Sequence, residues 1–242
     1  MICVFGLILS GVGTGVANTR QVVYETNFST DPGWTTDQPA NFYWESGWET
    51  YFIHQTNYPE AYEPDRYTFV RVPYSGGPFR LEWDLEMLRC DWSAGISFGL
   101  FDSNLRYRGA VVGSAALCVE YANPDQGRVF TIIGYQDTTG LYSDNWTRFD
   151  LNVWYHNVFE YDPMGATAKW TIYKLGATTP FMENTLTGVP AITNDISYLG
   201  ASRYPMLHPW GPGVNPNAVA EARIDNVVFS VPKARLDYFL HL

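Results

Sequence analysis

Within the stretch Phe79 to Leu88 the chain alternates: Phe79, Leu81, Trp83 and Leu85 are apolar, while Arg80, Glu82, Asp84 and Glu86 are charged. Successive side chains of a strand point to opposite faces, so this alternation predicts a strand with one buried and one open face. The same period recurs along the chain. Gln21 to Phe28 forms a first strand, broken by Asp31-Pro32-Gly33, where Pro presets φ and Gly permits positive φ. Phe42 to Trp44 and Tyr51 to His54 predict a hairpin around Glu45-Ser46-Gly47-Trp48, and Tyr67 to Val72 a further strand closed by Pro73.

After the alternating stretch come Ala94 to Phe101, Ala115 to Tyr121 and Arg128 to Tyr135. Arg148 to Tyr161 follows, with Tyr155, Asn157, Phe159 and Tyr161 set against His156, Val158 and Glu160. Asp162-Pro163-Met164-Gly165 turns it into Ala168 to Tyr173; Ile196 to Gly200 and Ala222 to Phe229 complete the set. About a dozen short segments separated by turn residues, with no helical period among them, predict an all-β fold, a two-sheet antiparallel jelly-roll sandwich. With no internal repeat or low-complexity linker, one domain spanning residues 20–232 accommodates them, and 233–242 is a tail outside the sandwich.

Composition sharpens this picture at three points. Aromatic residues make up 17% of the 242, including nine Trp and seventeen Tyr, so a large core is available. The net charge of −10 argues against nucleic acid or an anionic membrane surface as partner and leaves neutral glycans and cations compatible. Residues 1–17 are uncharged and apolar, and Gly15 and Ala17 suit the −3 and −1 positions of signal-peptidase cleavage. We read them as an export signal, although the usual basic n-region is missing, and expect a secreted or cell-surface protein with no membrane insertion of the mature chain.

Export leaves Cys90 and Cys118, which form either a disulfide or two separate buried thiols. Aromatic residues beside turns can stack on sugar rings: Trp44, Trp48, Tyr51, Tyr204 and Trp210, with His208 in the proline-rich loop Pro205 to Pro216. The alternative for these residues is packing at the edges of the sandwich. His54, His156 and His208 are scattered, and no catalytic triad or zinc spacing is present. Asn27-Phe28-Ser29 and Asn145-Trp146-Thr147 are glycosylation sequons.

The order of Asn27 to Trp34, Phe79 to Leu88, Asp91-Trp92 with Phe98 to Asp102, Trp154-Tyr155 with Glu160 to Asp162, and Ala222 to Val227 resembles the concanavalin A-like lectin/glucanase superfamily, including laminin-G-like domains of exported bacterial proteins. The resemblance spans nearly the whole mature chain and implies a jelly roll of two curved sheets whose concave face or rim loops bind carbohydrate. Within the superfamily, the laminarinase and lichenase hydrolases carry a Glu-x-Asp-x-Glu strand, matched here by Glu82, Asp84 and Glu86. By that resemblance Glu82 is a nucleophile, Asp84 its electrostatic partner and Glu86 the general acid/base. Residues four apart on a strand have Cα atoms roughly 13 Å apart, and leaning Glu side chains can still reach the ~5 Å of a retaining mechanism. Trp83 departs from the aliphatic residue that the hydrolases place there.

The bland alternative is a solvated strand face, and it leads to the expectation of a non-catalytic carbohydrate-binding or surface module. A retaining β-glucan hydrolase is the second reading, and self-assembly through strand edges or the apolar stretch Leu236 to Leu240 the third. No cofactor is required. Glu25, Asp31 and Asp225 offer hard oxygen ligands for a structural calcium if the terminal strands are adjacent, as in related β-sandwich carbohydrate modules.

Overall fold

The computed structural model describes residues 19–56, 67–91, 94–103, 116–125, 128–136, 141–145, 149–193, 195–203 and 218–233. Among them there are fifteen strands and no helix. They are β1 (Arg20–Thr26), β2 (Thr35–Thr36), β3 (Phe42–Glu45), β4 (Thr50–Thr56), β5 (Tyr67–Arg71), β6 (Phe79–Cys90), β7 (Gly95–Phe101) and β8 (Ala116–Asp125). The second half supplies β9 (Arg128–Gln136), β10 (Leu141–Asn145), β11 (Trp154–Asp162), β12 (Thr167–Lys174), β13 (Met182–Thr187), β14 (Tyr198–Arg203) and β15 (Val219–Pro232).

All pairings are antiparallel. One sheet runs β13-β12-β11-β6-β15-β4-β3, with β1 as its eighth strand; the other runs β10-β9-β8-β7-β14-β5-β2. Strand β15 is long enough to pair with β6 on one side and, on the other, with β4 over residues 219–224 and β1 over residues 227–232. It therefore closes the sheet between the chain's first and last strands, and Lys233 extends the pairing by donating its N–H to Thr19 at 2.9 Å.

The alternation of β6 survives in three dimensions. Phe79, Leu81, Trp83, Leu85 and Met87 are fully buried between the sheets. Trp83 packs on Phe98 of the opposite sheet, with ring centroids 5.0 Å apart, and stacks beside Trp170 at 6.4 Å. Burying such side chains is worth about 1.5–3 kcal/mol each, which makes this layer the main source of stability.

Among the described residues, polar contacts cross the apolar layer on two flanks. The Tyr121 hydroxyl of β8 donates to Asn157 Oδ1 of β11 at 2.8 Å, and Trp170 Nε1 donates to the same oxygen at 3.2 Å. The Asn157 amide donates in turn to the Tyr155 carbonyl at 3.0 Å and lies 3.4 Å from that of Trp83. On the other flank, the Tyr51 and Thr68 hydroxyls meet at 2.7 Å between β4 and β5. Where β14 lies paired between β7 and β5, Gly200 is required for space: a Cβ there would stand 2.0 Å from the Thr68 carbonyl oxygen.

Differences from the sequence expectation are local. β2, β10 and β13 are additional strands. In β13, Met182, Asn184 and Leu186 alternate inward, and the central Asn interrupts the apolar pattern that would have revealed it. The segment expected from Arg148 onward becomes strand only at Trp154, because Asn152 takes a left-handed φ of 59° and its N–H bonds to the Met87 carbonyl. Residues 1–17, and most of the tail, lie outside the described residues.

Replacing Asn157 by Leu keeps the branched shape but leaves the buried Tyr121 hydroxyl and Trp170 indole N–H without their acceptor. We expect a loss of roughly 2–4 kcal/mol in urea denaturation, and a smaller loss of about 1 kcal/mol for Tyr121→Phe. An Asn157→Leu protein as stable as wild type would show that this crossing contact is dispensable.

Candidate functional site on the outer face of the eight-stranded sheet

The pleat that sends Trp83 inward sends Arg80, Glu82, Asp84 and Glu86 outward. On one side β11 sets Glu160, Val158, His156 and Trp154 opposite them in that order. On the other, β15 sets Arg223 opposite Glu86 and Asp225 opposite Asp84, then bulges before Val228 meets Glu82. Beyond β15, the β3–β4 hairpin contributes Glu45 and, from its turn, Trp48.

These side chains form an ionic lattice of two networks, one centred on Arg80 and His156 and one on Arg223. Arg80 forks onto Glu82 with bonds of 2.8 and 3.0 Å and reaches Glu160 at 3.1 Å, where Arg20 also contacts it at 3.3 Å. His156 stands between two carboxylates of β6, with Nδ1 2.8 Å from Asp84 Oδ1 and Nε2 3.5 Å from Glu82 Oε2. Asn226 donates its amide to the second Asp84 oxygen at 2.9 Å. It does so from the bulge, with a φ of 50° that Asn tolerates better than most residues. Arg223 donates to Glu45 at 2.8 Å and lies 3.5 Å from Glu86, and its guanidinium sits 4.3 Å from the centre of the Trp48 ring. Trp48 is nevertheless 65% exposed.

The lattice sets the protonation of its members. Hydrogen bonding to Asp84 first, and then Glu82, raises the His156 imidazole to about 9, against the burial that would lower it. His156, followed by the Arg80 fork, holds the Glu82 carboxyl down to about 2. Asp225 is pushed the other way, chiefly by burial and further by Asp84 and Glu49. Each carboxylate of the β6 row thus faces a cation: Glu82 faces Arg80, Asp84 faces His156 and Glu86 faces Arg223.

The structure brings Glu82, Asp84 and Glu86 together on one face and places Trp48 at its corner. It separates the other candidates. Tyr51 is buried, 2% exposed, because the pleat of β4 turns Tyr51 and Ile53 inward; it packs on Trp34 and Phe28 and is a core residue, not a sugar platform. Trp44 is half-buried against the same core, its Nε1 donating to the Phe28 carbonyl at 2.8 Å. Tyr204, His208 and Trp210 lie outside the described residues.

Among the described residues, no group of three or more His, Cys, Asp or Glu is arranged to hold a metal ion, so Glu25, Asp31 and Asp225 are not gathered into one. Glu25 is opposite Val228 on β1, Asp31 accepts the Gly33 N–H at 2.9 Å within its own turn, and Asp225 joins the outer face. Cys90 and Cys118 are not joined in a disulfide. Both are buried thiols, Cys90 in the main core and Cys118 beside Phe101 and Ala116 in a separate cluster. Burial pushes the Cys90 thiol up to about 12.

His156, Arg223, Asn226 and Glu45 are outer-face residues that local pattern did not single out. Only the parity of His156 on its strand was readable. Its place beside Asp84 depends on the register of strands separated by |i−j| = 72.

No family model matches the chain, and no curated protein matches it. Solved structures do. Basic winged bean lectin in complex with Tn-antigen is 10% identical, with a TM-score of 0.60, covering 88% of this chain and 98% of its own. Arcelin-5, a lectin-like defence protein from Phaseolus vulgaris, is 12% identical with a TM-score of 0.55 over the same shares. The alginate lyase Aly36B is 16% identical with a TM-score of 0.46, covering 84% of this chain and 86% of its own. With the two antiparallel sheets, the lectin matches establish the fold as a concanavalin A-like jelly roll.

The two shifted groups give a pH signature. The raised His156 contributes stability that is complete below about 6.5 and is lost as pH rises through about 9. The lowered Glu82 contributes stability present above about 4.5 and lost as pH falls through about 2. We expect urea-denaturation stability to be greatest near pH 4.5–6.5 with respect to this pair. His156→Gln should cost about 1–2 kcal/mol at pH 6 and flatten the alkaline decline. A His156 that titrates near 6.5 by NMR would contradict the lattice.

Proposed function

We propose that this protein is an exported, laminin-G-like carbohydrate-binding module that holds glycan on the outer face of its eight-stranded sheet, with Trp48 as the platform. The observation that carries the reading is Trp48 itself: a large aromatic ring left 65% exposed and fixed in place by Arg223 4.3 Å from its centre. An exposed indole gains little for the fold, whereas its ring face suits the C–H face of a sugar. Arg223 occupies one ring face and is itself anchored by Glu45, so ordering the platform costs little on binding. Glu45 and Glu86 retain acceptor capacity toward sugar hydroxyls, since a carboxylate offers about four lone-pair sites.

The pairing of the β6 row supports a binding role over hydrolysis. Retaining hydrolysis requires one carboxyl to enter the reaction protonated, with its pKa raised. That role would fall to Glu86, which instead has the Arg223 guanidinium 3.5 Å away, a neighbour that favours the ionised carboxylate. Export rests on the apolar stretch of residues 1–17. The winged bean lectin, solved with Tn-antigen, is an example of this fold accommodating a sugar.

The test is affinity electrophoresis and a glycan array with wild type and Trp48→Ala. Wild type should be retarded by at least one polysaccharide, and Trp48→Ala should lose roughly tenfold or more in affinity, about 1.4 kcal/mol, with an unchanged far-UV spectrum. Equal binding by the two proteins, or release of reducing ends by wild type that Glu86→Gln abolishes, would contradict the reading.

A further inference from the structure

We propose that the glycan recognised at Trp48 carries no negative charge, the face around the platform being built to refuse uronate and sulfated polymers. This rests on the reading of Trp48 as the platform and adds the ligand class. Five carboxylates surround the corner. Glu45 and Glu86 flank Arg223, Asp84 lies opposite Asp225 in the strand register, and Glu49 stands next to Trp48 in the hairpin turn. Against them stand Arg223 and the protonated His156.

Those cations are already committed. Arg223 donates to Glu45 while covering the indole, and His156 lies between Asp84 and Glu82. Arg20 and Arg80 converge on Glu160, and Lys169 pairs with Glu183 at 2.6 Å. Each of these five basic side chains is thus already paired with a carboxylate. An anionic sugar would have to break a lattice bond to find a counter-charge. Asp225, by contrast, has Asn226 as its donor, at 2.7 Å from the backbone and 3.3 Å from the side chain, and its burial and acidic neighbours already disfavour its charge.

A uronate about 6 Å from one such carboxylate loses roughly threefold in affinity even at the dielectric of water, and several act together. The net charge of −10 adds a repulsive field at longer range. A neutral sugar meets none of this and can use the carboxylate oxygens as hydroxyl acceptors.

The experiment compares retention of wild type, Trp48→Ala and the double variant Glu49→Gln/Asp225→Asn by a neutral glucan, an amino-sugar polymer, a uronate polymer and a sulfated galactan at 50 mM and 500 mM salt. We expect wild type to be retained by the neutral or the amino-sugar polymer and not by the two polyanions. Retention should be lost in Trp48→Ala, and the double variant should gain at least threefold affinity for the uronate polymer at low salt. Wild-type retention by either polyanion, lost in Trp48→Ala, would overturn the charge inference and leave the platform standing. Retention that Trp48→Ala does not change would remove the platform, and the charge inference with it. Retention by none of the four polymers would overturn both.

Discussion

The two-residue pleat of β6 is the constraint on which the molecule depends. That strand is central to its sheet, and its inward residues fill the middle of the sandwich. A slip of one residue would turn Glu82, Asp84 and Glu86 into the apolar core, away from their ionic partners, and expose Trp83, an exchange no sandwich of this size could absorb. The core and the charged face are therefore one decision made twice, once on each side of the same backbone. The outer lattice then holds the register that the core requires. Arg80, His156 and Arg223 bond β6 to itself, to β11 and, through Arg223, to β15 and the β3 hairpin.

The layer between the sheets is aromatic, and such a layer resists sliding poorly unless something fixes it. Asn157 and the Tyr51–Thr68 pair supply directional contacts at two places across it. A buried polar group is costly when it lacks a partner, so these contacts penalise every misregistered packing more than they stabilise the correct one. Gly200 acts in the same direction by admitting a close approach of backbones that no side chain would permit.

Much of this was legible in the sequence because it is local. The alternation at Phe79 to Leu88, the parity of Tyr155 to Tyr161 and the hairpin turn at Glu45 to Trp48 each need only a window of about ten residues. The gathering of the outer face was not local. His156 reads as a scattered histidine until β11 is laid against β6, and Asn226 as an ordinary strand residue until the bulge turns its amide toward Asp84. Tyr51 misled for the opposite reason: proximity to a turn suggested exposure, and the pleat turned it inward. The Glu-x-Asp-x-Glu row was visible as a motif, and so was Arg80 beside it, but His156 and Arg223, which face Asp84 and Glu86, come from other strands.

Trp48 is left exposed while Trp83 and Trp170 of the pleated core are withheld from solvent. The direct measurement is an NMR titration of the tryptophan indole N–H signals with a retained oligosaccharide, together with their hydrogen exchange. The account predicts that the Trp48 signal moves on titration and exchanges fast in the free protein, while Trp83 and Trp170 stay fixed and protected. A Trp83 indole that exchanges freely or shifts with ligand, beside an unmoved Trp48, would contradict it.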